Sequence, residues 1–340
     1  MKQKKAVGRI EYFDIAKGIG MICIMMGHLG KISINQAVYT FHIPLFLLIS
    51  GYFMSRKTSF GAFVKQKGRA LLMPYVITSL FLVVLNIPYH LIKRSPDLIL
   101  RDMLFTVLQA LYGSGTDANK TLFGIQSIGA IWFFMALFWA FLVVRWALDV
   151  KCGGLYVFII ALIAYFTSKI VWLPFSIQAG GVAAIFVYCG NKWREKQYFD
   201  EIKWLMFILG ILFYAVERHW GIYINIVCNE IRHAPISIIG AICISYTVII
   251  FSKLLAKCST LKRIFSFYGK NSMIILCLHL IETNYMHWSD LAMHLGLQKY
   301  SPNMVYLIIF SWKIVFVTVF TILVLKVKSL HKNNLNIQTS

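Results

Sequence analysis

The chain reads as an all-α, polytopic integral membrane bundle of about ten transmembrane helices, and three observations carry that reading. Hydrophobic residues fill 59% and charged residues only 14% of the 340 positions, whereas a typical soluble domain carries about 25% charge. Apolar runs long enough to cross a hydrocarbon core of about 30 Å recur from one end of the chain to the other. Lipid offers no water to an unpaired strand and the sequence has no barrel-type alternation, so these runs must be helices.

The expected spans are 13–31, 37–54, 71–89, 128–148, 154–172, 177–191, 204–220, 234–252, 270–287 and 303–326. The first is apolar apart from Asp14, Lys17 and His28. In the second, Pro44 suits an early helical turn, and Ser50 and Gly51 suit close helix packing. The sixth is short, and its Gly- and Ala-rich "AGGVAAIF" fits a helix pressed among neighbours. The tenth contains a lone Lys313. Between the third and fourth, 93–127 is expected to be the one long loop. The whole of 1–340 reads as a single transmembrane domain, with a basic cytosolic N-terminus (1–12) and a short cytosolic tail (327–340).

Charge sets the orientation. With ten spans and the N-terminus inside, 24 of the 34 Lys and Arg residues fall in cytosolic segments, which puts both termini in the cytosol. The net charge of +21 is thus mainly a topology signal. Nucleic-acid binding is not expected, because the basic residues are scattered over short loops beside apolar helices. Seven Cys without a C-x-x-C pair read as small packing residues, neither a disulfide framework nor a metal cluster. The first apolar run contains Asp14 and Lys17 and lacks a small-residue cleavage site, so it is not expected to be a cleaved signal peptide.

Ionisable groups at membrane depth are costly and usually face a cavity or a partner. Lys17 and His28 are eleven residues apart, which on a helix is a difference of only about 20° in azimuth and about 16 Å along the axis. Asp14 falls near the same stripe. One face of the first helix should therefore carry an acid and a base near the cytosol and an imidazole in the outer half. A hairpin turn near 32–36 would return His42 to the depth of His28, although a helix-start residue at the interface would look the same. His279 lies mid-depth in the ninth span with Glu282 one turn on, and Lys313 needs a partner or a wet cavity. Glu217, Arg218 and His219 are expected near the outer surface, and Trp132 can stack on a ring or anchor an interface.

The series "DIAKGIGMICIMMGH", "FHIPLFLLISGYF", "KGRALLMPY", "IWFFMALFW" and "GKNSMIILCLH" resembles, in order and spacing, the integral-membrane acyltransferase 3 family, particularly its fucose 4-O-acetylase-like branch. The resemblance covers nearly the whole chain. It implies an O-acetyltransferase of the cytoplasmic (inner) membrane that moves an acyl group, commonly acetyl from acetyl-CoA, onto a hydroxyl of a cell-envelope polysaccharide. The family's basic-x10-His element falls on Lys17 and His28. Many members have Arg where this chain has Lys17, which supplies charge without the planar guanidinium fork. Arg69 in "KGRALLMPY" matches the basic residue before the third span, and with Lys65 and Lys67 it implies a cytosolic site for the CoA phosphates. His28, Lys17 and Asp14 are then the catalytic candidates, and His42, His279 and Glu282 the acceptor-contacting ones. No metal is implied.

A sugar hydroxyl is a poor nucleophile, so a positioned imidazole that takes its proton is worth roughly a hundred- to ten-thousand-fold. An acetyl-imidazole intermediate is the competing route. No Ser-His-Asp or G-x-S-x-G pattern is evident that would point to a serine acyl-enzyme. A transporter or flippase of lipid-linked glycans would also bury charges, but repeated halves or facing broken helices would be expected of it. A scaffold would leave the Asp14, Lys17 and His28 stripe unexplained.

Overall fold

The computed structural model describes residues 10–338, so Lys2, Lys4, Lys5 and Arg9 of the basic N-terminus lie outside the described residues. The order begins α1 (Glu11–Gly27), α2 (Ile32–Val38), α3 (His42–Tyr52), α4 (Phe60–Ile92), α5 (Ile99–Tyr112), α6 (Trp132–Ala147), α7 (Gly153–Ile170), α8 (Ile177–Glu195) and α9 (Trp204–Trp220). A two-residue hairpin follows, β1 (Ile224–Asn225) against β2 (Glu230–Ile231), with Ile224 opposite Ile231. The chain ends in α10 (Ala234–Leu255), α11 (Ser259–Lys270), α12 (Ser272–Tyr285), α13 (Trp288–His294) and α14 (Pro302–Gln338).

Each of the ten expected spans falls largely on one of these helices. Among the described residues, five stretches are long and apolar enough to cross a membrane: Ile32–Tyr52, α4, α7, α10 and Pro302–His331; α11 with α12, bent by 73°, makes a sixth if counted as one span. The chain is a multi-pass membrane protein. At 17 and 16 residues, α1 and α6 are short for a full crossing and owe their place to their neighbours.

Glycines let those neighbours touch. A methyl group on Gly51 would lie 1.9 Å from the Val187 carbonyl oxygen, and one on Gly190 the same distance from that of Leu48, so α3 and α8 cross backbone to backbone. Gly180 meets α6 and Gly181 meets α7 in the same way. The Gly- and Ala-rich sixth span is therefore the packed centre of the bundle, buried from Gln178 through Ala184. The other tight crossing pins α1 to α11. A Cβ on Gly18 would lie 2.0 Å from the Phe265 carbonyl oxygen, and one on Gly269 would lie 1.7 Å from that of Asp14.

Four helices fall mainly outside the expected spans: α2, α5, α11 and α13. The 93–127 segment holds α5, whose Leu100, Leu104, Phe105, Leu108 and Leu111 share an exposed face, while Asp102 and Thr106 turn toward α4. At 14 residues it is about 21 Å long, too short to register as a span. The joint between α4 and α5 is closed by His90, which hydrogen-bonds Ser95 Oγ (2.9 Å) through Nδ1 and Asp102 Oδ2 (3.0 Å) through Nε2. This is a Ser-His-Asp array that sequence spacing did not reveal. Arg101 holds the other Asp102 oxygen at 2.8 Å, and none of the three side chains lines the large cavity described below. It is a staple of the corner. Of the others, α2 and α13 are only seven residues long, and α11 is too charged on one side to register as apolar.

At the end of α6, Asp149 accepts hydrogen bonds from Arg145 and from Arg56 at 3.1 Å. The Arg145 bond, then that of Arg56, holds its carboxyl below the usual range.

Candidate functional site

A cavity of about 540 Å³ opens between α1, α3, α4, α6 and α12, within the size range of small-molecule sites. One wall is a single stripe of α1: Lys17, Met21, Ile24 and His28, at the i, i+4, i+7, i+11 spacing of one helix face. The eleven-residue argument thus holds, although the helix proper stops at Gly27 and His28 caps it. Facing it, α3 supplies His42, Ile43, Phe46 and Ser50. Lys67 of α4 also lines the wall, its Nζ 4.0 Å from the centre of the Phe141 ring. At the far end, Gly115, Ser127, Trp132 and the hairpin residues Asn225 to Val227 close the space. That end is built on fixed backbone: Trp172 N donates to Lys120 O at 2.7 Å, and Lys169 Nζ to Asn229 O at 2.8 Å.

Asp14 is buried and pairs with Lys17 at 2.8 Å, so it orients the lysine rather than facing the cavity. His28 is exposed and lines the cavity. Its ring makes no hydrogen bond among the described residues, and its nearest aromatic neighbour is His279, ring centres 5.0 Å apart at 62°. His42 places Nδ1 2.6 Å from the Val38 carbonyl oxygen. That nitrogen must carry the proton, so a neutral His42 presents Nε2 as an acceptor. In that tautomer Nε2 can accept a hydrogen bond but not donate one.

His279 and Glu282 are 1% and 0% exposed and do not line the cavity. His279 Nδ1 lies 2.8 Å from Glu282 Oε1. Lys313 Nζ reaches both Glu282 oxygens, at 2.9 and 3.2 Å, and Trp288 Nε1 donates to Oε2. Lys313, alone in its apolar run, thus has its partner on α12. Sequence reading singled out each charge without joining them; two opposite charges in two apolar runs were the available signal.

Arg69 and Lys65 are exposed and off the cavity wall, while Lys67 is on it. Spacing explains the split: residues 65 and 69 share a helix face, and 67 lies nearly opposite. Trp132 does line the cavity. Glu217 is buried against Gly240, and neither carboxylate oxygen has a hydrogen-bond partner among the described residues. Arg218 donates to Ser33 O at 3.1 Å and His219 is exposed. Among the described residues, no three His, Cys, Asp or Glu side chains group in a way that could hold a metal ion.

One cavity thus carries lysines from α1 and α4 and histidines from the end of α1 and the start of α3. The chain belongs to the acyltransferase 3 family, whose model, described as an acyltransferase domain, matches residues 10–325. Part of it is similar to the nodulation protein NolL of Sinorhizobium fredii, 28% identical over 148 residues, covering 39% of this chain and 35% of that protein. NolL of Mesorhizobium japonicum is 29% identical over 150 residues, covering 39% and 34%. The matches span about a third of the length of these curated relatives. No solved structure matches the chain.

Proposed function

We propose that this chain is a membrane-bound O-acyltransferase that moves an acetyl group from cytosolic acetyl-CoA to a hydroxyl of a cell-envelope or extracellular polysaccharide. The observation that carries the reading is the continuity of the cavity from Lys17 and Lys67 to His28 and His42. A thin thioester arm entering past the lysines can present its carbonyl to His28. There His28 takes the hydroxyl proton as the oxygen attacks the carbonyl, the C–O bond forms and the C–S bond breaks. The departing thiolate then receives the proton as free thiol. The acceptor lone pair of His42 can hold a second hydroxyl of the sugar. The decisive experiment incubates membranes containing the protein with isotopically labelled acetyl-CoA and analyses envelope glycans by mass spectrometry. Label in glycan esters that depends on the protein is expected; its absence would refute the activity.

On this reading the domain is the whole of 1–340 in the cytoplasmic membrane, with ten crossings and both termini cytosolic. Tags at either end should be shielded from impermeant reagents in intact cells and become reactive after permeabilisation. Labelling from outside would overturn the orientation.

Donor phosphates should meet Lys67 at the mouth, with Lys65 and Arg69 offering charge on the opposite face of α4. Lys67→Ala is expected to raise the donor KM several-fold with kcat little changed, and Arg69→Ala to raise it less. Equal KM for the Lys67→Ala and unmodified proteins would remove Lys67 from the donor site.

A further inference from the structure

We propose that the buried chain Lys313, Glu282, His279 is a positioning relay for His28, which presents one ring nitrogen to the cavity as a base by accepting the proton of the other. This rests on the reading of His28 as the proton acceptor.

Glu282 is approached by the Lys313 ammonium and the Trp288 indole N–H as well as by His279. A carboxylate ringed by donors is ionised and only accepts, so the His279 proton must sit on Nδ1. Lys313 already balances the charge of Glu282, leaving no call for a third ion in that apolar setting. The neutral ring then has its lone pair on Nε2. That atom is buried and has no hydrogen-bond partner among the described residues. The ring of His28 packs edge-on against that of His279, 5.0 Å between centres and 62° between planes, within reach of a bond to Nε2 after a small turn of either ring. Since His28 lines the cavity and His279 does not, a reactant touches only the first, and His279 acts through it.

The consequence is a defined proton inventory. An N–H of His28 turned toward His279 Nε2 leaves the other His28 nitrogen bare toward the cavity. When that nitrogen takes the hydroxyl proton, the imidazolium shares its inner N–H with His279, whose own Nδ1–H stays on Glu282. As the thiolate collects its proton, the chain returns to its starting state, with no proton gained or lost.

The test compares His279→Asn with His279→Gln, because an Asn amide can keep the bond to Glu282 but offers nothing where Nε2 stood, while Gln can place its carbonyl oxygen there. Per folded molecule, His279→Asn should lose at least about tenfold in kcat with donor KM unchanged, and His279→Gln should recover part of it. Should either fold poorly, Glu282→Leu with Lys313→Met removes the acceptor that fixes the His279 tautomer together with its counter-charge, and is expected to fold while showing the same loss in kcat. In a His28→Ala background none of these changes should cost anything further. Full kcat in His279→Asn or in the charge-free double variant, with His28→Ala inactive, would overturn the relay alone. Full turnover in His28→Ala would instead overturn the reading of His28 on which it rests.

Discussion

His28→Ala should insert and fold as the unmodified protein does, yet lose at least about a hundred-fold in acyl transfer per folded molecule while donor KM changes little. The ring is exposed to the cavity and hydrogen-bonds no described residue, so its loss removes little packing. It stands eleven residues from the lysine that would meet the nucleotide, which is why chemistry and donor affinity should separate. Lys17→Ala, assayed beside it, should show the opposite balance, a raised donor KM with a smaller fall in kcat. Retained turnover in His28→Ala would end the proton-acceptor role. A labelled acetyl group trapped on His28 would make it the nucleophile instead.

Gly269→Ala should cost the fold rather than the chemistry. Its new Cβ would stand 1.7 Å from the backbone oxygen of Asp14, an atom that cannot rotate aside, so α1 and α11 must part. Overpacking of this kind costs about 1–3 kcal/mol, and more where backbone is struck. Asp14, which orients Lys17, sits at the point of collision. Thermal denaturation in detergent should show a clear fall in Tm and in yield. Gly61→Ala is the control: it is helical, nothing lies within 4 Å of its Cβ, and its stability should be unchanged or slightly raised. An unaltered Tm for Gly269→Ala would show that the crossing tolerates separation.

Much of the bundle was legible because solvent imposes it. Apolar length placed a helix on each expected span, and the i, i+4, i+7, i+11 geometry put Lys17 and His28 on one wall. Amphipathic helices were not legible by that rule, since α5 is a short helix with polar residues turned toward α4 and α11 mixes charged with apolar positions, so neither makes a continuous apolar run. Nor was the division of labour among histidines. Spacing put His42 near the depth of His28, but the Val38 carbonyl, supplied by the local turn, decides which nitrogen is free. His279 and Glu282 looked like acceptor-contacting groups because one turn separates them. Only the placement of α12 and α14 reveals that they turn away from the cavity toward Lys313.

The clamp between α1 and α11 has a mechanical side. A stiff rod held at Gly18 and Gly269 and bearing an imidazole at its far tip is a lever, with its fulcrum on a charged helix where Lys262 pairs with Glu11 at 3.4 Å. Because Lys17 and His28 ride on the same rod, a slide or tilt at the fulcrum carries both along. Lys17 and the proposed base His28 would therefore keep their spacing in such a shift, and a displacement at α11 would be carried along the rod to His28.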